Sequence, residues 1–296
     1  MQIDQLYETY RPLLFSIAYR LLGSISDAED IVQETFLAWS ERTKQTAAVQ
    51  GEPVTHIKAY LCRILTNLCA DRIRKLRRQR ESYVGPWLPE PLTNAGPEDA
   101  CIRKDTIHTA YLLLLQQLNA AERTVFVLRE AFDFSYDEIA EITGKSSANC
   151  RQIYRRARQG MPAREEQDVK PPDTKDNERA RSILLEFGQA LERGNVPKVL
   201  QMLTQDAILI SDGGGKVNAA LKPILTPERI VAFIIGTASK LPEGMQVKSD
   251  QVNGLPGLVY MLEDRVLYVV SFALEGERIS GIYLVSNPDK LERLNS

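Results

Sequence analysis

The sequence predicts a multidomain protein with two all-α units followed by an α+β unit. Up to about residue 160, apolar residues recur at spacings of three and four, the period of amphipathic helices. Beyond residue 176, an amphipathic helix gives way to short strand-like runs separated by turn residues, the pattern of an antiparallel sheet. Proline-bearing polar stretches separate the units and are typical of linkers.

The predicted domain boundaries follow these changes of pattern. The divisions are a helical domain 1–84, a linker 85–104, a helical domain 105–163, a linker 164–176 and an α+β domain 177–296. The first linker holds Trp87 and Leu88 among prolines. Because exposure of an indole to water is costly, we expect this stretch to dock onto a surface.

Composition is ordinary for a soluble globular protein: 296 residues, 44% hydrophobic, 26% charged, with a formal net charge of −2. The acidic excess lies in residues 165–176, whereas residues 1–84 carry 12 basic and 10 acidic side chains. Four cysteines without C-x-x-C spacing predict small buried residues, not a metal site or disulfides, and no cofactor is expected. The start lacks a signal-peptide layout and no apolar run could span a bilayer, so we expect a soluble cytoplasmic protein without membrane contact.

The first domain opens with a helix over residues 4–22, ended by Gly23. Ser26 and Glu29 have the spacing of a capping box, which predicts the start of the next helix. We expect that helix to bury Val32, Phe36 and Trp39 and to expose Asp30, Gln33, Glu34 and Leu37.

A loop is predicted over residues 45–54, followed by a strongly basic helix over 59–80. Between Arg63 and Arg80 there are seven Lys or Arg residues and one acid, Asp71. A basic helix face favours a phosphate partner, with a plain solvated face as the alternative reading. The apolar stripe is predicted to contain Leu61, Ile64, Leu65, Leu68, Ile73 and Leu76.

The second domain resembles a helix-turn-helix. After a helix over 106–118, the pairs Asn119/Glu122 and Ser135/Glu138 predict two further helix starts. Gly144 then gives a turn, and Ser146 or Ser147 caps a last helix that has no acidic residue. Its predicted DNA-facing residues are Arg151, Gln152, Arg155, Arg156 and Arg158. A generic helical hairpin is the alternative.

The third domain is predicted to begin with helices and to end in an antiparallel meander. The expected elements are helices over 177–195, 196–203 and 227–239, strands over 207–211, 257–262, 265–274 and 277–286, and a tight glycine turn over 212–216.

Three separated motifs together resemble a known family. They are DAEDIVQETF (27–36), the helix that carries Asn67, Asp71 and Arg74, and SYDEIAEITG followed by NCRQIYRRAR. Over residues 4–162 the chain resembles a sigma-70-family factor of the extracytoplasmic-function (ECF) group. The last 120 residues resemble a SnoaL-like domain, a cone of helices wrapped by a curved sheet. WLPEP, DGGGK and NPDKL resemble signature stretches of the subgroup in which this domain is fused to the sigma factor.

The resemblance implies a role in transcription initiation and assigns residues to it. The implied partners are promoter DNA and core RNA polymerase, through its β′ clamp helices and β subunit, with the free protein a monomer. Implied contacts to the clamp helices are Asp27, Asp30, Gln33 and Glu34. Implied contacts to a flipped, single-stranded −10 element are Tyr60, Arg63, Asn67, Asp71, Arg74, Arg77 and Arg78, with Tyr60 where such families often have Trp. The helix-turn-helix residues would read the −35 element as duplex.

The resemblance further implies that the fused domain regulates the factor in place of a separate membrane anti-sigma protein. The implied regulatory residues are Trp87, Leu88, Pro89, Glu90 and Pro91 in the linker, Asp212, Gly213, Gly214, Gly215 and Lys216 in the glycine turn, and Asn287, Pro288, Asp289, Lys290 and Leu291 near the end. We expect the two later motifs to sit near the linker.

Two other functions remain open from the residues alone. A SnoaL-like cone could bind a small ligand or catalyse a reaction, but the histidines, His56 and His108, both lie outside it, and we expect no enzyme. A stand-alone helix-turn-helix regulator would account for 105–160 and leave the 27–80 segment without a role.

Overall fold

The computed structural model describes residues 3–49, 56–93, 108–160 and 174–295. They form two compact units. The first draws on Met1–Glu81 and Leu114–Asp168, and the second on Ser82–Leu113 and Val169–Ser296. The described part of the first linker, residues 85–93, and residues 108–113 therefore belong to the same unit as the C-terminal region.

Three long helices build the first half of the first unit: α1 (Ile3–Leu22), α2 (Ile25–Val49) and α3 (Ile57–Glu81). Val32, Phe36 and Trp39 are buried as predicted. The predicted cap of α2 was wrong by two residues. The Ser24 hydroxyl, not that of Ser26, accepts the Asp27 amide at 3.1 Å. The helix begins two residues earlier than predicted because Gly23 already reverses the chain in the left-handed region (φ 69°).

Helix α2 is longer than predicted and reaches Val49, so the first part of the predicted 45–54 loop is helical. The stretch Gln45–Val49 contains no glycine or proline, and Ala47 and Ala48 favour helix. The rest of that predicted loop, from residue 50 to 55, lies outside the described residues.

The helix-turn-helix prediction is matched by four helices: α4 (Thr109–Gln117), α5 (Ala120–Glu130), α6 (Tyr136–Thr143) and α7 (Ser147–Gly160). Both predicted capping boxes, at Asn119 and Ser135, are confirmed with reciprocal hydrogen bonds. Gly144 adopts the left-handed conformation (φ 66°) that ends α6, and Ser146 caps α7 through the Asn149 amide.

Within the first unit, α5 packs against α1 and α3, and α6 packs against α3. Arg123 of α5 is buried, and its guanidinium donates to the Leu21 carbonyl at the end of α1 (2.6 Å) and to the Leu118 carbonyl (3.2 Å). Burial, with a smaller effect of nearby Arg80, lowers the pKa of Arg123 to about 10. The side chain stays cationic at neutral pH and meets the negative end of the α1 dipole.

The second unit has helices α8 (Thr174–Glu192), α9 (Val196–Gln201), α10 (Pro227–Ala238) and α11 (Pro288–Leu291). Its six strands are β1 (Leu203–Asp212), β2 (Ile224–Leu225), β3 (Gln246–Val252), β4 (Leu255–Leu262), β5 (Arg265–Glu275) and β6 (Arg278–Val285), in the order β2-β1-β6-β5-β4-β3. The strands pair antiparallel except β1 and β6, which run parallel. The predicted fold class, two helical domains followed by an α+β SnoaL-like domain, is confirmed.

Several predicted bounds in this unit were wrong. Helix α8 starts at Thr174, inside the predicted linker, and Leu203 begins β1 instead of ending a helix. Strand β3 was missed because most of its residues are exposed and polar, as befits an edge strand, so it has no apolar alternation. The predicted meander is a mixed sheet because β1 joins it beside β6.

The sheet separates two apolar clusters. Phe187 of α8, Ile230 of α10 and Phe272 lie in one, whereas Tyr283 and Leu88 lie in the other. Along β6, Ile282 lies in the first cluster and Tyr283 in the second, because successive side chains of a strand point to opposite faces. One face is therefore covered by helices, and the other by the linker and the end of the chain.

Among the residues that the structure describes, no helix is long and apolar enough to cross a membrane.

Candidate functional site

The exposed face of α3 carries the residues predicted to contact the −10 element. Arg63, Asn67, Asp71 and Arg74 are all exposed, as are Arg77 and Arg78. The opposite side of the helix buries Leu61, Cys62, Leu65 and Cys69. Asp71 forms an ion pair with Arg74 on the surface. The result is a basic, solvent-facing stripe on a firmly packed helix.

Tyr60 lies at the beginning of this stripe and is half-buried. Its ring meets the Trp39 ring edge-on, with centroids 5.7 Å apart. An aromatic ring fixed in this way keeps part of its surface open for stacking without losing much rotamer freedom.

The face of α2 predicted for polymerase carries exposed Asp30, Gln33 and Glu34 beside Leu37, whose exposed fraction is 64%. A single exposed leucine is common on protein surfaces, so it is the acidic and amide groups that suit a basic partner. Asp27 differs from the others because it forms an ion pair with Arg72 of α3. It therefore joins α2 to α3 in addition to any contact with a partner.

Helix α7 presents Arg151, Gln152, Arg155, Arg156 and Arg158 to solvent. Cys150 and Ala157 hold its other face in the core. The Arg151 guanidinium lies 5.3 Å from the Tyr136 ring centroid of α6, which orients it at the surface. Tyr154 donates to Glu130, and burial is the main cause of its raised pKa.

The motifs predicted to be regulatory meet around one fully buried carboxylate, that of Asp212 at the end of β1. Its Oδ2 accepts the backbone N–H of Leu88 (2.8 Å) and the Lys290 ammonium (2.6 Å). Its Oδ1 accepts the Tyr83 hydroxyl (2.6 Å) and the Gly214 N–H (3.1 Å). Both oxygens are thus saturated, as a buried charge requires.

Lys290, the cationic partner of this carboxylate, is also buried. Its ammonium also donates to the Leu88 carbonyl and lies 3.8 Å from the centroid of the Trp87 ring. Both backbone polar groups of Leu88 are therefore bound by one ion pair, while the indole covers the cation. The Leu88 side chain is fully buried in the apolar cluster beneath the sheet.

Asn287 completes the arrangement. Its amide nitrogen donates to the Tyr83 hydroxyl (2.8 Å), and its Oδ1 accepts the Asp289 amide (3.1 Å). A Cβ on Gly214, whose φ is +61°, would lie 2.4 Å from the Asn287 amide nitrogen. Glycine is needed at this position both for its backbone angle and for this approach. We call Tyr83, Trp87, Leu88, Asp212, Asn287 and Lys290 the linker anchor.

The remaining motif residues lie outside the linker anchor. Pro89, Pro91 and Leu291 are buried, and Glu90 is half-buried. Lys216 and Asp289 form an exposed ion pair at 2.6 Å between the glycine turn and α11. Gly213 and Gly215 serve the turn, and Pro288 starts α11.

Sequence reasoning missed two residues of this unit. Tyr83 follows the basic helix and has no motif of its own, but an aromatic residue just before a proline-rich tether that also holds Trp is a usable signal. Asn253 bonds the Leu92 backbone, and the pair Asn253-Gly254 between strand-like runs would have indicated a hairpin.

Among the described residues, no cluster of His, Cys, Asp or Glu has the arrangement of a metal site. Cys62, Cys69 and Cys150 are buried free thiols, as predicted, whereas Cys101 lies outside the described residues. Burial raises the pKa of Cys62 to about 12, so this thiol is unreactive.

Comparison with known proteins agrees with this arrangement. Residues 6–79 match the model of sigma-70 region 2, and residues 108–161 match that of sigma-70 region 4. The ECF RNA polymerase sigma factor SigJ of Mycobacterium tuberculosis is 29% identical over 98% of this chain and 93% of its own length. The ECF sigma factor SigW of Bacillus subtilis is 30% identical, with 46% of this chain and 73% of that protein covered.

The likeness to SigJ includes the C-terminal domain. The crystal structure of SigJ matches with a TM-score of 0.76 and 25% identity over 98% of each chain. The probable ECF sigma factor SigI of M. tuberculosis is 25% identical over 99% of this chain and 96% of its own length. With both sigma-70 regions in the expected order and full-length similarity of sequence and fold, this chain belongs to the ECF RNA polymerase sigma factors of the sigma-70 family.

Proposed function

We propose that this sigma factor binds core RNA polymerase and promoter DNA through the exposed faces of α2, α3 and α7, and that its SnoaL-like domain regulates it by holding the linker. Binding to the polymerase places its action in the cytoplasm. The free protein is a monomer in this proposal.

The charge and exposure of the three helix faces indicate which partner each would bind. The acidic face of α2, with Leu37 at its edge, suits a basic polymerase helix. The stripe of α3 combines arginines for backbone phosphate with Asn67 and Tyr60 for base edges and stacking. The exposed face of α7 has the arginines and the glutamine that major-groove recognition uses.

The observation that carries the regulatory proposal is the saturated Asp212 carboxylate. It bonds Leu88 in the linker, Tyr83 just before the linker and Lys290 near the end of the sequence, so segments distant in sequence share one buried charge. Because removal of any partner leaves a buried polar group unsatisfied, the described part of the linker, residues 85–93, has a defined path. A defined path limits how the two DNA-binding segments that it joins can be placed on a promoter.

Two experiments test the proposal in turn. The full chain should co-elute with core RNA polymerase without DNA, which a stand-alone helix-turn-helix regulator should not do. Deletion of residues 286–296 removes Lys290 and Asn287, and we expect promoter-specific run-off transcription to change at least about fivefold, because the linker loses a hydrogen-bonded ion pair. Lys216→Ala, which removes only the exposed ion pair, is the control. Equal transcription from the deletion and the control would contradict regulation by the anchor.

The alternatives have less support. A stand-alone regulator does not explain the match to sigma-70 region 2. On the helical side of the sheet the described core is lined mainly by apolar side chains, with Tyr260 packed against them, which gives little support to catalysis in the cone.

A further inference from the structure

A second anchor lies at the hairpin between β3 and β4. Asn253 and Gly254 are its two turn residues, with φ of 53° and 78°. Asn-Gly is the preferred pair for such a turn, because both positions need positive φ. The turn explains why an asparagine occurs here, but it does not explain why the residue is buried, with an exposed fraction of 3%. Glu263 holds the same place in the next hairpin, with φ of 49°, and is exposed.

The Asn253 side chain bonds one residue within the linker, Leu92, and one beyond its end, Thr109. Its Oδ1 accepts the Leu92 N–H at 2.9 Å, while its own backbone N–H donates to the Leu92 carbonyl at 2.8 Å. Its Nδ2 donates to the Thr109 hydroxyl at 2.8 Å. That hydroxyl also lies 2.8 Å from the Ser271 hydroxyl of β5. Beside the Leu92–Asn253 hydrogen bonds, Thr93 forms a β-bridge with Val252.

All of these polar groups are buried. Leu92, Thr93, Thr109, Asn253 and Ser271 each have an exposed fraction below a tenth. Without the Asn253 amide, the Leu92 N–H would lose its side-chain acceptor away from water, and Thr109 would keep only Ser271. Ala110 and Leu113 of α4 pack against the adjoining apolar cluster, so the start of that helix rests on the sheet.

We propose that Asn253 is a positioning residue that ties residue 92 and residue 109 to one turn of the SnoaL-like domain. We call Asn253, Thr109 and Ser271 the hairpin anchor. The match to sigma-70 region 4 begins at residue 108, so this anchor fixes where the −35-reading segment starts, whereas the linker anchor fixes where the linker begins. Its meaning for transcription rests on the proposed function, while its effect on the linker backbone does not.

The consequence is a limit on promoter geometry. If both ends of the linker are held, the full chain should accept a narrow range of spacer lengths between the −10 and −35 elements. Loss of the hairpin anchor releases Leu92 and Thr109 from the sheet ahead of the −35 reader and should widen that range.

The experiment compares three full-length variants. Asn253→Gly keeps the left-handed turn but removes both side-chain bonds. Thr109→Val keeps the shape of the side chain and the Leu92 bonds but removes the hydroxyl. Glu263→Gly makes the same turn substitution without touching the linker and is the matched control.

The first measurement is hydrogen exchange at the Leu92 amide. We expect exchange about tenfold faster in Asn253→Gly, because a buried hydrogen bond is lost, and near wild-type rates in Thr109→Val and Glu263→Gly. The second measurement is run-off transcription with core polymerase from a promoter whose spacer is changed by one and two base pairs. The ratio of transcript from the best to the other spacers should fall at least about threefold in Asn253→Gly and Thr109→Val.

The two measurements separate the possible failures. Equal Leu92 exchange in Asn253→Gly and Glu263→Gly would overturn the anchor itself. Faster Leu92 exchange in Asn253→Gly, together with an unchanged spacer ratio in both Asn253→Gly and Thr109→Val, would overturn the role of the hairpin anchor in positioning. A wild-type chain that gives no polymerase-dependent transcript would contradict the proposed function, and the exchange result would still decide whether the anchor exists.

Discussion

The glycine turn and the C-terminal motif are joined by two ion pairs of equal length that differ in burial. Lys290–Asp212 and Lys216–Asp289 both have a nitrogen–oxygen distance of 2.6 Å. The side chains of the first pair are 6% and 0% exposed, and those of the second are 55% and 62% exposed. The same distance therefore has different consequences: water screens the outer pair, whereas the inner pair depends wholly on its partners.

The inner pair has a structural role that the outer pair lacks. The inner pair holds the linker through Leu88, and each of its atoms that bears charge has a protein partner. The outer pair bridges the same two motifs without contacting the linker. Substitutions in the two pairs should therefore differ in stability and in linker release, although they look equivalent in the sequence.

The largest effect is expected from Asp212→Ala. It leaves the Lys290 ammonium, the Tyr83 hydroxyl and the Leu88 N–H without their shared acceptor. We expect the free energy of unfolding to fall by about 3–5 kcal/mol. Urea unfolding followed by circular dichroism measures the loss, and limited proteolysis should show earlier cleavage near Trp87. A loss as small as that of an exposed charge would mean that the carboxylate does not carry the anchor.

Tyr83→Phe should have an intermediate effect, about 1 kcal/mol at neutral pH, because the hydroxyl bonds both Asp212 and Asn287. Its pH dependence is more telling. Burial first, and then the bond to Asp212, raises the pKa of Tyr83 above its ordinary value of 10.0. The folded protein thus keeps a proton that the unfolded chain loses, so this contribution is complete below pH 10 and declines as pH rises further.

Unfolding measured between pH 8 and pH 11 tests this. Wild type should lose stability above about pH 10 more steeply than Tyr83→Phe, which lacks the titrating group. Parallel curves for the two proteins would show that Tyr83 is not buried against the carboxylate in solution.

The smallest effect is expected from Lys216→Ala. An exposed pair contributes about 0–1 kcal/mol, and less at high salt. The free energy of unfolding should change within that range, and the change should shrink between 0.05 and 1 M NaCl by the screening expected at such strengths. A salt-independent loss comparable with that of Asp212→Ala would remove the distinction between the two pairs.

Much of the fold was readable from local signals. The capping boxes at Asn119 and Ser135, the left-handed Gly144 and the helical periodicity are set by residues close in sequence, and they were predicted correctly. The errors have the same physical origin in reverse. Ser24 and Ser26 are both suitable caps, and only the reversal at Gly23 selects Ser24. Edge strand β3 lacks an apolar pattern because one side of it meets solvent.

The site was predictable in part. The motifs named every residue of the linker anchor except Tyr83. Spacing could not show that Asp212 lies beneath Leu88 and Tyr83, since those contacts span more than 120 residues. Asn253 escaped notice because its turn alone accounts for an asparagine. The polymerase and DNA contacts stay predictions.

The parallel pairing of β1 with β6 has a consequence for how such a domain can vary. Asp212 lies opposite Val285 at the last position of both strands, and the Asp212 carbonyl accepts the amides of Ser286 and Asn287. Two motifs far apart in the chain are thus brought side by side by strand register alone. Extra residues at the exposed β5–β6 turn, where Gly276 has open space around it, would leave that register unchanged. A sensing module or a reporter could be grafted there while the linker remains held.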